Sequence, residues 1–504
     1  MNVMVLCLFL GGLRFVEQDI DGLHVGEVSA IGGKPSLNFR CEDIDRDGEL
    51  DLVLPRQVRF QRAGLFPANR AALLPVEGAT CDLWNGVLYA RMDDRIEVYA
   101  WADEAWEMLL GHTIDWPPGA LSVPVLEGLF TAEIDSDSDV QAPVRFRRFL
   151  YDLNSDGYPE ILVPAQEGLC VYARIGDTYR KMATWDIYPI SAPIQPESAE
   201  LWPVHERRLN FPPLRNVLRL AIEPEGITVV ARYPHGEEEV RFRVRTRSLD
   251  PDEDFNLLPS EWEEWETEPL PRFLEPCRLN RDGRIDFAGG HAEYVASGAL
   301  PHPVFNTVVT TNAGRDLQRV RSTTYRPRVS FLDFDSDGDL DMIIESTGML
   351  DHGIRESLNR FLFHRSISHR IDVRYQNALG EFAEIPNHIF RVSIRLKEPP
   401  YQNGPQFRRY QTGRLFDITG DFDADGYADF AVRDRPGRVS IYLNRNGKIR
   451  RASDISLAIP DDREFAVADV DGDGYSDIVF QSRGRYPDFA DSSTTVYFAR
   501  TSLP

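Results

Sequence analysis

Asp43-Ile44-Asp45-Arg46-Asp47-Gly48-Glu49-Leu50-Asp51 sets four carboxylates at positions 1, 3, 5 and 9 of a nine-residue stretch, with glycine at position 6. The same offsets recur from Asp152, Arg278, Asp333, Asp421 and Asp469. Repetition in one register marks a repeat architecture. Each copy runs directly into an apolar stretch: Leu52-Val53-Leu54, Ile161-Leu162-Val163, Phe287-Ala288, Met342-Ile343-Ile344, Phe430-Ala431-Val432 and Ile478-Val479-Phe480. Apolar residues also lead in, as in Val329-Ser330-Phe331-Leu332 and Phe465-Ala466-Val467. Apolar run, glycine-containing turn, apolar run is the pattern of a β-hairpin. The acids therefore lie in a hairpin loop.

Four carboxylates in nine residues repel one another unless a cation neutralises them. Positions 1, 3 and 5 can point inward while the glycine takes the positive φ that folds the loop back. Position 7 (Glu49, Tyr158, Asp339, Tyr427 or Tyr475) can offer its carbonyl, and the acid at position 9 closes the shell. All-oxygen ligation from a flexible loop favours calcium over magnesium. An EF-hand places its closing Glu six residues after the glycine, between helices; here the acid follows three residues after it and the flanks read as strands. The candidate metal ligands are Asp43, Asp45, Asp47 and Asp51; Asp152, Asn154, Asp156 and Glu160; Asp333, Asp335, Asp337 and Asp341; Asp421, Asp423, Asp425 and Asp429; and Asp469, Asp471, Asp473 and Asp477. The copy at Arg278 has lost its first acid and keeps Asn280, Asp282 and Asp286. About five calcium sites are expected, with the sixth weak or empty.

At these residues the chain resembles the FG-GAP-like (VCBS-type) repeat family of calcium-binding β-propellers, whose blades occur in integrin α-chains and in many bacterial surface and secreted proteins. The resemblance covers six segments of roughly twenty residues each, and by extension most of the chain. It implies one four-stranded blade per repeat, with calcium held between the first two strands. It names no ligand. The Phe-Gly…Gly-Ala-Pro signature of the integrin version is not evident, so no integrin-like partner is implied.

The copies are spaced by 109, 126, 55, 88 and 48 residues. The two shortest intervals suit one four-stranded blade; the others need insertions or a blade without a metal loop. Alternation in Val217 to Ala221, Gly226 to Val230 and Val240 to Val244 places a motif-less blade at about residues 200–260. Insertions are expected at about 60–90, 117–145 and 351–367. The last is read as helical from Ile354, Leu358 and Leu362, and Asp135 to Asp139 in the second as a solvated acidic loop without glycine. The sum is an all-β, seven-bladed β-propeller over residues 13–504, with eight blades as the alternative if the first interval splits. The last blade stops at its third strand, around Val496 to Phe498, and Leu13 to Glu17 is expected to supply the fourth, which removes two exposed sheet edges.

Composition bounds the function. Acids outnumber bases by 80 to 56, for a net charge of −24. That excludes nucleic acid, whose phosphates need a basic surface. No stretch reaches the eighteen apolar residues of a membrane span. Residues 1–12 read either as a truncated signal peptide or as a buried first strand. Cys41, Cys81, Cys170 and Cys277 could form two disulfides or sit as small core residues.

No H-E-x-x-H, G-x-S-x-G or nucleotide-binding loop is present. The ten His are scattered, with His235 and His302 in turns. All eight Trp lie in the first 265 residues, either as a platform for a sugar or protein partner or as filler between blades. The acidic stretch Asp252 to Glu268 reads as a solvated loop. The leading expectation is a monomeric, non-enzymatic calcium propeller in the periplasm, at the cell surface or secreted, which recognises a protein or surface glycan. The alternative is a secreted calcium-dependent carbohydrate-active enzyme, a polysaccharide lyase or hydrolase. Fold-level analogy does not separate the two.

Overall fold

The computed structural model describes residues 13–21, 23, 25–28, 35–37, 39–77, 79–92, 95–113, 145–146, 149–154, 156–165, 168–176, 178–185, 217–223, 226–235, 238–248, 262–277, 279–280, 284–295, 302–311, 316–322, 325–347, 366–395, 416–459, 464–481 and 493–501. Among them there is no helix, and none long and apolar enough to cross a membrane. The fold is all-β and built from blades of the β-propeller type, each a four-stranded antiparallel meander. The apolar runs flanking each glycine loop form the inner strands, and they are buried on both faces because sheets pack against them from either side.

The chain divides into two compact units. Phe39–Arg272 holds four blades. Blade 1 is Arg40–Glu42, Asp51–Val53, Gln57–Arg59 and Ala71–Leu73. Blade 2 is Thr80–Trp84, Val87–Arg91, Arg95–Ala102 and Ala105–Thr113, with the short strand Arg145–Phe146 parallel to its first. Blade 3 is Leu150–Tyr151, Glu160–Ala165, Gly168–Ile175 and Thr178–Trp185. Blade 4, without a metal loop, is Val217–Glu223, Gly226–His235, Glu239–Ser248 and Glu263–Glu266.

The other unit, Met1–Asn38 with Phe273–Pro504, also holds four. Blade 5 is Glu275–Cys277, Asp286–Val295, His302–Thr311 and Asp316–Ser322. Blade 6 is Tyr325–Leu332, Asp341–Thr347, Ser366–Arg374 and His388–Arg395. Blade 7 is Phe416–Gly420, Asp429–Arg435, Arg438–Tyr442 and Ile455–Ala458. Blade 8 takes Glu464–Ala468, Asp477–Gln481 and Ser493–Thr501 from the C-terminal end and Leu13–Asp21 from the N-terminal end.

The blades number eight rather than seven, so the first interval splits. The stretch expected as an insertion at about 60–90 holds the fourth strand of blade 1 and the first two strands of blade 2. The turn between those two is Asn85-Gly86, with φ of 50° and 73° and Trp84 opposite Val87. That is the backbone of a two-residue type I′ hairpin turn. Most of the insertion expected at 117–145, with Asp135 to Asp139, and most of the one at 351–367 lie outside the described residues. So do residues 1–12. The N-terminal strand pairs as expected: Leu13 lies opposite Thr501 and Val16 opposite Phe498, unbroken to Asp21 opposite Ser493.

The core of each unit lies between neighbouring blades. Val439, Ile441 and Leu457 of blade 7 pack on Phe465, Ile478, Phe480 and Tyr497 of blade 8, and the N-terminal strand adds Leu13 and Phe15. Between blades 1 and 2, Trp101 and Trp106 meet edge to face at 5.4 Å and Trp101 meets Phe60 at 4.8 Å. These two tryptophans fill space between blades. Cys81, Cys170 and Cys277 are buried and Cys41 half-buried, and none of the four forms a disulfide.

Candidate metal loops

Each loop joins the first two strands of its blade, and its geometry repeats from copy to copy. Glycine at position 6 has φ between 84° and 91° in all five loops that keep their first acid (Gly48, Gly157, Gly338, Gly426 and Gly474). Position 4 is also left-handed at Arg46, Ser336, Ala424 and Gly472. The acid at position 1 accepts the N–H of that glycine: Asp43, Asp152, Asp333, Asp421 and Asp469 do so at 2.9 to 3.1 Å. The acid at position 5 accepts the N–H of position 7 at 2.8 to 3.0 Å. Each carboxylate thus spends at least one oxygen on fixing the loop, and Asp152, Asp421 and Asp469 spend both.

The acid at position 9 does more than close a shell. Asp51, Asp341, Asp429 and Asp477 are at most 1% exposed. One oxygen of each accepts the backbone N–H of position 2, from Ile44, Phe334, Phe422 and Val470. The other accepts a backbone N–H from, or just past, the third strand: Gln61, Gln376, Asn444 and Ala499, at 2.7 to 3.0 Å. Glu160 and Asp286 hold the position-2 N–H of Leu153 and Leu279 in the same way. Position 9 is a clamp between loop and third strand in these four blades, and its hold on position 2 is kept even at the copy that has lost its first acid.

Other oxygens face inward without a donor. Oδ1 of Asp43 and Asp333 at position 1, and of Asp335, Asp423 and Asp471 at position 3, are buried and accept no hydrogen bond. In four loops, three carboxylates bring ligand atoms within 4.8 Å of one another: Asp43, Asp45 and Asp51; Asp333, Asp335 and Asp337; Asp421, Asp423 and Asp425; Asp469, Asp471 and Asp477. In the copy at Asp152, Asn154 instead donates to Asp156 at 3.0 Å. At Arg278 the structure describes Asn280 and Asp286, while Asp282 lies outside the described residues.

The electrostatics follow. Burial first, then neighbouring acids, pushes Asp51 up to about 6, Glu160 and Asp341 to about 7 and Asp429 to about 8. Asp477 is raised well above its usual value by burial and by Asp471. Backbone hydrogen bonds offset only part of this. Arginines answer some loops and not others. Arg70 pairs with Asp45 at 3.3 Å and Arg62 with Asp47 at 3.4 Å. In blade 8, Arg500 contacts Asp471 and lies 2.9 Å from Asp473. The sequence motif shows none of these arginines, because each comes from outside its nine-residue loop.

The family model of the FG-GAP-like repeat matches residues 421–480, the stretch from the blade 7 loop through the blade 8 loop. No curated protein sequence is matched by the chain. Among solved structures, the chain is similar to one described as the extracellular domain of a hybrid two-component system from B. thetaiotaomicron, at 12% identity and a TM-score of 0.25. That match covers 95% of this chain and 50% of the other, so the chain spans half the length of that relative. So distant a likeness says nothing about ligand or activity.

Proposed function

We propose that this chain, a propeller built on FG-GAP-like repeats, is a non-enzymatic recognition scaffold outside the cytoplasm whose acidic loops hold calcium. One observation carries the metal part: buried carboxylate oxygens with no donor recur at equivalent positions of equivalent loops. Leaving such atoms unpaired is costly, and a hard cation with oxygen ligands is the partner they fit. Positions 1, 3 and 5 of the intact loops would hold the ion, and position 9 would add an oxygen while keeping its clamp. Calcium would supply the charge that the loops lack and join the first two strands of each blade. Loops this open to solvent suit the calcium levels met outside the cytoplasm, where extracellular modules bind with dissociation constants of roughly 0.1 to 1 mM. The blades then present the remaining surface to a protein or glycan ligand.

The test is a melting curve with and without chelator. Ligand that binds only the native state stabilises by mass action. EDTA should lower the melting temperature by several degrees, calcium should restore it, and magnesium should restore it in part. A curve unmoved by EDTA would overturn the calcium reading.

A further inference from the structure

The third strand of blade 4 carries Arg241, Arg243, Arg245 and Arg247 at every second position. Alternation puts all four on one face of the strand, while Val240, Phe242 and Val244 fill the other and are at most 4% exposed. The fourth strand answers two of them. Arg243 lies opposite Glu266 and Arg245 opposite Glu264, with ion pairs at 2.7 and 3.4 Å. One step further along this ladder the acid is replaced by Trp262. Its ring lies 4.8 Å from the Arg245 guanidinium and 5.6 Å from that of Arg247.

Arg241 and Arg247 are left over, and of the two Arg247 is the buried one. It is 5% exposed, its Nη2 has no hydrogen-bond partner, and it forms no ion pair among the described residues. Its guanidinium also sits 5.4 Å from the ring of Trp185, the last residue of blade 3. Trp185 is 3% exposed, and its Nε1–H likewise lacks an acceptor. Two buried donors, one of them cationic, therefore meet at the seam between blades 3 and 4. Burial alone pushes Arg247 below its usual value, with no opposing charge to offset it. Aromatic faces recover part of the cost of burying a cation, but they offer nothing in the plane of the guanidinium, where its N–H groups point. Among the described residues no acceptor lies there. A carboxylate, planar with two oxygens, matches that fork.

We propose that the seam between blades 3 and 4 binds the carboxylate of a ligand, with Arg247 as the fork, Trp185 Nε1 as the second donor, and Trp262 as the wall that holds the guanidinium flat. This deepens the recognition part of the proposed function and rests on it. The tryptophans here do not act as bare sugar-stacking platforms, because arginine occupies their faces.

The experiment is calorimetric titration of the full chain in saturating calcium with sodium glucuronate, N-acetylglutamate and, as neutral control, glucose. Binding of either acid with no binding of glucose is expected, and which acid binds tells a sugar acid from an acidic side chain as the source. Arg247→Gln should weaken that binding by about tenfold or more, the scale of one lost charge-assisted contact. Arg247→Lys, which keeps the charge and loses the fork, should fall between the two. A melting curve of each variant shows that it is folded. Failure of both acids to bind, equal binding of glucose, or binding unchanged in Arg247→Gln would overturn the proposal. Because every arm contains calcium, such a failure would leave the calcium reading standing, and an EDTA-insensitive melt would leave this one standing.

Discussion

Two kinds of residue in each loop look alike in sequence and act differently in the fold. Asp286 belongs to a copy without its first acid, yet it is fully buried and holds the N–H of Leu279 at 2.9 Å. Asp286→Ala should therefore destabilise in EDTA as much as in calcium, by about 1–3 kcal/mol, the cost of an orphaned buried donor. Asp421→Ala should cost under ~1 kcal/mol in EDTA, since it frees only the exposed N–H groups of Asp425 and Gly426, but should remove most of that loop's calcium-dependent gain. Urea unfolding of both variants in both buffers checks this, and equal calcium dependence would refute the division. Glycines separate in the same manner. Gly474 has φ +88° with nothing within 4 Å of an added Cβ, so Gly474→Ala should cost about 1 kcal/mol through backbone strain alone. At Gly420 an added Cβ would meet Phe422 and Val467 at 2.8 Å, and overpacking there should cost about 1–3 kcal/mol.

At the scale of the element, a loop is a cluster of acids whose compensation differs between blades. Arg500 brings its own positive charge to Asp471 and Asp473. It should compete with calcium at the blade 8 loop, so Arg500→Gln should tighten calcium there, by roughly 1 kcal/mol for a partly exposed pair. Weaker calcium binding in that variant would show that Arg500 organises the site instead. The pH dependence has a definite sign. Carboxylates raised in the fold to about 6 to 8 keep protons that the unfolded chain loses near 4. As far as these groups decide, metal-free protein should therefore be most stable below about pH 4. It should lose about 1.4 kcal/mol per pH unit for each net proton held as pH rises from about 4 toward 6 to 8. Saturating calcium should flatten that loss, because metal replaces proton. Melting curves across pH in EDTA and in calcium read this directly, and metal-free stability that rises over the window would contradict it. The loop and its two strands were legible because nine residues contain the whole device. The clamp to the third strand was not, because its partner N–H groups lie 10 to 35 residues away in four of the blades.

For the whole molecule, what was legible depended on where a signal is stored. Repeats with acids announced their blades at once. Blade 2 has no acidic glycine loop, and its own signal, Asn85-Gly86 between two alternating runs, is two residues long and easily passed over beside a stronger motif. The N-terminal strand was legible for another reason: a blade that ends at its third strand must find a fourth. Leu13–Asp21 meets that need along nine paired positions. It buries Leu13, Phe15 and Ile20, accepts the Thr495 hydroxyl on Asp19 at 2.6 Å, and leads to Leu23, whose carbonyl accepts the Thr494 hydroxyl. Each fully buried large apolar side chain is worth about 1.5–3 kcal/mol, so three of them rival a sizeable part of a domain's margin of stability. Deleting residues 1–22 should therefore strip blade 8 of its outer strand and leave Ser493–Thr501 as an open edge. That edge keeps a row of unpaired backbone groups next to an apolar core, the arrangement that templates aggregation. The truncated protein should unfold at lower temperature and less cooperatively and should form soluble aggregates on size exclusion, whereas deletion of residues 1–10 leaves the strand whole and should behave as the parent. A monomeric, cooperatively melting 1–22 deletion would mean that the strand contributes pairing without contributing to stability.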